Sequence, residues 1–212
     1  MGSLLIFDCD GVLVDSEPLA NQVLHEHLNE LGLKISLEDS SRTFTGLSMS
    51  ASVAIIEEML GRDVPENFVS RLRASTARAF AHGLGPVRGI ETALALVDGP
   101  VCVASSGSHG KIRLSLKLTG LRRWFPDNVI FSAEDVRRGK PAPDLFLHAA
   151  AAMGVAPRRC SVVEDSVPGV TAARAAGMRV FGYAERTAPR ALEAAGAKVF
   201  TRMEELAGLL SP

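Results

Sequence analysis

Cysteine is scarce in this chain. Cys9, Cys102 and Cys160 are the only three, an odd number at no metal-ligand spacing, and each lies in or beside an apolar run, where a thiol behaves as a small buried hydrophobe. A basic excess is also missing. Twenty-three Lys and Arg stand against 24 Asp and Glu, for a formal net charge of -1, which excludes a surface built to neutralise many phosphates of a nucleic acid but not one that takes a small phosphorylated molecule. No apolar run approaches the ~20 residues of a membrane helix. The N-terminus has neither the basic start nor the apolar stretch of a signal peptide, and internal repeats and low-complexity segments are absent. The expectation is a cytoplasmic protein with no nucleic-acid partner and no membrane partner, monomeric or a weak homodimer. What is present is ordinary globular material. The chain has 212 residues, 47% hydrophobic and 22% charged, and a chain of that length can bury roughly 70–75% of its unfolded surface.

Short apolar runs alternate with helical patterns. Leu4–Phe7, Val101–Ser105, Val129–Phe131, Ser161–Glu164, Arg179–Tyr183 and Lys198–Phe200 are short, bounded by Gly, Pro, Asp or Ser, and read as strands. Between them Glu91–Val97, His109–Thr119, Pro143–Met153, Gly169–Ala176, Pro189–Ala195 and Glu204–Leu210 read as helices, several stopping at a glycine such as Gly120, Gly154, Gly177 or Gly196. Nearly continuous apolar strands separated by helices predict an α/β fold with a parallel sheet covered on both faces. One region breaks the alternation. From Glu17 to about His82 there are only three or four helical patterns, with Leu19–Leu31, Ala51–Leu60 and Asn67–Phe80 standing out; Leu24, Leu28 and Leu31 form one apolar stripe. This predicts a core domain from residues 1–15 and 88–212 and an inserted α-helical subdomain over 16–87, with the Gly- and Pro-rich 82–89 as a joint.

In an open parallel sheet, ligands bind outside the carboxyl ends of the strands, so the polar residues that end each strand are the candidates. The first strand ends in Asp8-Cys9-Asp10, the second in Ser105-Ser106-Gly107, the fourth in Glu164-Asp165-Ser166, and Lys140 lies in the loop before Pro143. Taken singly each is unremarkable. A D-x-D is a turn, Ser105 a strand-end or cap hydroxyl, Lys140 a surface lysine, and Glu164-Asp165 a cap for the helix that follows. Together they converge on one rim. Crowded acids raise each other's pKa unless a cation intervenes, and Mg²⁺ suits carboxylates plus substrate phosphate oxygens. Ser105 and the backbone N–H groups at Ser106-Gly107, leading into a helix, suit a phosphate. One aspartate would attack phosphorus, and the other would move protons.

These segments resemble a known family. "DCDGVLVDSE", "VASSG", "GKPAPD" and "VVEDSVPGV" are similar, in order and spacing, to the four motifs of the haloacid dehalogenase superfamily of aspartate-nucleophile phosphotransferases. The resemblance implies a Rossmann-like core with a helical cap, as in the branch that holds β-phosphoglucomutase and sugar-phosphate phosphatases. It implies Asp8 as nucleophile and Mg²⁺ ligand, and Asp10 as acid/base that lends its carbonyl to Mg²⁺. It also implies Ser105 and the Ser106 N–H as phosphate binders, Lys140 as the charge-offsetting cation, and Asp165 with Glu164 as metal ligands. In the cap, "FTGLSMS" at 44–50 resembles the loop that faces the core site, and Gly46 and Ser48 are expected to contact substrate. Where the mutases carry an arginine in that loop this chain has Met49, and Glu17-Pro18-Leu19-Ala20 lacks their histidine. Both departures favour a phosphatase of a small phosphorylated metabolite over a mutase, with Arg42, Arg71, Arg73 or Arg78 as substitutes if a second phosphate is held. A phosphoaspartate receiver domain is a remote alternative. Asp15 reads as a hinge or hydrogen-bonding residue, Cys9 and Trp124-Phe125 as packing, and His25 and His27 as surface positions.

Overall fold

The computed structural model describes residues 3–45, 47 and 49–210. The chain forms two compact units, Met1–Asp15 with Gly85–Pro212, and Ser16–Leu84. In the first unit six strands, β1 Leu4–Phe7, β2 Val101–Ser105, β3 Ile130–Ser132, β4 Cys160–Glu164, β5 Arg179–Tyr183 and β6 Lys198–Phe200, make a parallel sheet in the order β3-β2-β1-β4-β5-β6. All four residues of β1 are buried, because a central strand of a parallel sheet is covered on both faces. Alternation sends Leu4 and Ile6 to one side, where they join Cys102, Ala104, Phe131, Cys160 and Val162 under the helices Asp144–Ala152 and Val167–Ala175. Phe7 turns to the other side and meets Phe125 edge-on, with ring centroids 6.1 Å apart.

The second unit holds α1 Glu17–Glu30, α2 Leu37–Phe44, α3 Met49–Leu60 and α4 Phe68–Gly83, and the first adds α5 Ile90–Leu96, α6 His109–Leu118, α7 Asp144–Ala152, α8 Val167–Ala175, α9 Pro189–Ala195 and α10 Leu206–Leu210. The core of the second unit is Val23, Leu28, Phe44, Ile56, Phe68 and Leu72, with Leu24 and Leu31 packed against it. Helix α2 is the element the apolar pattern under-reports: "LEDSSRTF" has only two large apolar residues. Its start is set by Ser36, whose hydroxyl accepts the Asp39 N–H at 3.0 Å, a local N-cap that needs no apolar stripe. His27, expected at the surface, is buried and hydrogen-bonded to Ser75 at 3.0 Å.

The first unit takes in Gly85–Val87, three residues more than the sequence boundary at 87/88 assigns to it. The reason is pairing. Asp15 N–H donates to Gly85 O, Val87 N–H donates to Leu13 O, and Val14 bridges Pro86, so this stretch is held to the chain that leaves β1. Among the described residues no helix is long and apolar enough to cross a membrane.

Candidate active site

The strand order reverses at β1. The chain moves outward from β1 to β2 and β3, then returns to lay β4 against the other side of β1. The crevice outside the carboxyl ends of β1 and β4 is therefore the switch point of the sheet, where such folds bind ligands. Asp8 follows β1 directly, and its N–H donates to Val163 O at 3.0 Å, which extends the ladder and fixes the side chain at the crevice. Glu164 ends β4 and Asp165 follows it. Oxygens of Asp8, Glu164 and Asp165 all lie within 4.8 Å of one another. Gly11, at φ +75°, makes this possible, since a Cβ there would overlap the Asp165 carboxylate.

Lys140 is the centre of charge. Its ammonium donates to Asp8 Oδ1 at 2.7 Å, Glu164 Oε1 at 2.7 Å and Ala104 O at 3.1 Å, which uses all three donors. Its side chain is 5% exposed. Burial acts against its charge, but the Asp8 and Glu164 carboxylates outweigh burial and hold its pKa above the usual lysine value. Asp8 is pushed up as well, to about 7, by its burial and by the Glu164 and Asp10 charges, with Lys140 opposing. Glu164 is fully buried, and its second oxygen accepts the Ser166 N–H at 2.9 Å and the Ser166 hydroxyl at 2.8 Å. Ser166, rather than Glu164 or Asp165, caps α8 through the Gly169 N–H.

Asp10 faces a second cation. Lys111 Nζ donates to Asp10 Oδ2 at 2.7 Å. Lys111 lies at no strand end, and only one feature of the sequence marks it. Lys111 sits in the first turn of α6, after the Ser108 cap, where positive charge opposes the helix dipole at a cost of about 0.3–1 kcal/mol unless a carboxylate answers it. Ser105 is buried and its hydroxyl accepts the Gly107 N–H at 3.1 Å, while Ser106 is exposed at the rim. The turn they form is pinned from β3. Ser132 Oγ donates to Gly107 O at 2.6 Å, and His109 meets Glu134 through its N–H and Asp135 through its ring. Asp15 accepts from Arg186 at 2.7 Å, Phe125 is buried in the core and Trp124 half-buried beside it, and Cys9 is buried with its thiol pushed up by burial and the two flanking acids.

The structure thus gathers carboxylate oxygens of Asp8, Glu164 and Asp165 within 4.8 Å of one another, with Lys140 bonded to Asp8 and Glu164 and with Asp10 and Lys111 paired beside them. The carboxylate groups of Asp8, Glu164 and Asp165 lie close enough together to share one ion, and an all-oxygen donor set of this kind fits Mg²⁺. Gly46 and Ser48 lie outside the described residues. Of the arginines considered as substitutes, Arg42 pairs with Asp39, Arg71 with Glu30 and Arg78 with Ser75, all within the helical unit.

A family model described as haloacid dehalogenase-like hydrolase matches residues 3–177. The chain belongs to this family. The hydrolase is similar to 6-phosphogluconate phosphatase of Escherichia coli, at 33% identity over 84% of this chain and 81% of that protein. It is also similar to the phosphorylated carbohydrates phosphatase of Thermotoga maritima, at 31% identity over 97% of each. Among solved structures, a conserved haloacid dehalogenase-like protein of unknown function from Agrobacterium tumefaciens matches with a TM-score of 0.90 and 36% identity over 99% of this chain and 98% of that one. Family and relatives alike support a phosphatase.

Proposed function

We propose that this hydrolase is a Mg²⁺-dependent phosphatase of a small phosphorylated carbohydrate, a sugar or polyol phosphate, working through a phosphoaspartate on Asp8. The observation that carries this reading is the buried Lys140 ammonium shared by Asp8 and Glu164 at the β1/β4 switch point, with Asp165 within reach. Asp8, the Asp10 carbonyl and Asp165 would hold Mg²⁺, with Glu164 acting through water because both its oxygens already accept protein hydrogen bonds. When bound, the ion supplies positive charge for the phosphoryl oxygens.

The chain's own groups do the rest. A carboxylate oxygen of Asp8 attacks phosphorus and the bond to the sugar oxygen breaks, with the Asp10 carboxyl giving its proton to that oxygen. The Asp10 carboxylate then takes a proton from water. The resulting hydroxide attacks phosphorus, the bond to Asp8 breaks, and phosphate leaves with Asp8 restored. Lys140 keeps the attacking carboxylate oriented and offsets charge on the transferring group. Ser105 and the backbone N–H groups of the turn that follows it would take the phosphate oxygens.

Gly46 and Ser48 would contact substrate in this reading, as the resemblance implies. The mutase alternative requires a second phosphate-binding cation at the place of Met49, which begins α3, and would yield an isomerised sugar phosphate in place of free phosphate. The test is phosphate release from a panel that includes 6-phosphogluconate, fructose 1-phosphate and hexitol phosphates. Asp8→Asn is expected to abolish release and Lys140→Met to reduce it by at least ~10²-fold. Retained turnover in Asp8→Asn overturns the nucleophile assignment, and isomerised product overturns the hydrolase reading.

A further inference from the structure

Lys111 does not belong to the cluster around Asp8, yet its placement is specific. It stands on α6, the helix that starts just past the Ser105–Gly107 turn, and its ammonium reaches across 101 positions of sequence to Asp10 Oδ2 at 2.7 Å. The path of its stem is opened by Gly107. A Cβ there would lie 3.3 Å from Lys111 Cδ and 3.5 Å from both Ile112 Cγ1 and Ser105 Oγ, so a larger residue in the turn would press on this lysine. The pair is half-exposed, with side chains 42% and 30% accessible. Ion pairs so open to water add little to stability, and fold stability is therefore a poor reason for this one.

Resting on the assignment of Asp10 as acid/base, we propose that Lys111 is a positioning residue that holds the Asp10 carboxyl group where it exchanges its proton with the leaving oxygen. Asp8 and Asp10 are two residues apart and repel. The Asp8 charge is answered by Lys140, and Lys111 answers the Asp10 charge from the first turn of α6. It thus fixes one oxygen of Asp10 without occupying the crevice between β1 and β4. Small displacements of a proton-transferring group cost rate steeply, up to about 10²-fold for 1 Å.

The experiment compares kcat/KM for two kinds of leaving group in the full-length protein. p-Nitrophenolate departs without a proton, whereas the alkoxide of 6-phosphogluconate or fructose 1-phosphate, whichever the wild type turns over faster, needs one. Asp10→Asn is the reference and is expected to lose far more activity on the sugar phosphate than on p-nitrophenyl phosphate. Lys111→Met is expected to show the same asymmetry, about 10–100-fold on the sugar phosphate against less than about 3-fold on the aryl ester. Its melting temperature should stay close to wild type, and Lys111→Arg should recover most of the loss. An equal fall on both substrates, or no fall, with Asp10→Asn behaving as expected, overturns the role of Lys111. If Asp10→Asn itself shows no asymmetry, the acid/base assignment of Asp10 fails and the role of Lys111 falls with it.

Discussion

Gly169→Ala isolates how tightly the buried end of β4 is built. Gly169 lies in the first turn of α8, where alanine would ordinarily gain up to about 1 kcal/mol in helix propensity. Here a Cβ would overlap the Glu164 carboxylate. That carboxylate is fully buried and accepts from Lys140 Nζ at 2.7 Å, Ser166 N–H at 2.9 Å and Ser166 Oγ at 2.8 Å. Overpacking costs about 1–3 kcal/mol, and losing even one hydrogen bond to a charged group costs about 1.5–3 kcal/mol. Against the propensity gain, the net expectation is a loss of about 2–5 kcal/mol, or a fall in melting temperature of roughly 4–20 °C for a chain of this size. Urea titration followed by the fluorescence of Trp124, the single tryptophan, and a thermal melt both measure it. The same substitution in a Glu164→Ala background has room for its methyl group and should be neutral or stabilising. An unchanged or raised melting temperature in the single variant refutes the argument, as does an equal cost in both backgrounds.

Lys140→Met leaves Asp8 and Glu164 buried without their cation, a loss of about 3–5 kcal/mol at pH 8. The cost should shrink toward pH 5, where Asp8, already raised to about 7 by its burial, takes up a proton, and a pH-independent loss in urea titrations counts against this. In the metal-free protein Asp8 is raised from 3.8 to about 7. The stability this group contributes is therefore present below its unfolded value and disappears as pH rises through about 7. If these oxygens hold Mg²⁺ as proposed, the ion would compete with protons for them, so the gain in melting temperature on adding Mg²⁺ should be larger at pH 8 than at pH 5.5; equal gains contradict the proposal. Phe125→Ala removes a fully buried ring packed edge-on against Phe7 and should cost about 3–5 kcal/mol in urea titration.

The apolar runs were legible because a parallel strand buried on both faces cannot hide its composition. Leu4–Phe7 and Arg179–Tyr183 fall where the pattern puts them, and the third strand is displaced by one residue, to Ile130–Ser132, because Ser132 pairs with Ser105 at the end of β2. Helix α2 was not legible from periodicity, since its polar face dominates eight residues and a single serine cap defines it. In the site, the carboxylates and Lys140 were legible because each lies at a strand end or in a loop on the same rim. Lys111 was not, because nothing local connects it to Asp10.

By itself the sequence determined where the strands lie to within a residue, most of the helices, and which side chains carry charge at the strand ends, since these follow from residue type and spacing. Only the tertiary structure decided that β4 returns to the side of β1, that Lys140 bridges Asp8 and Glu164 across 132 and 24 positions, and that Lys111 answers Asp10. Those pairings depend on strand order and on the close approaches that Gly11, Gly107 and Gly169 permit, and no local spacing encodes a contact made through the third dimension.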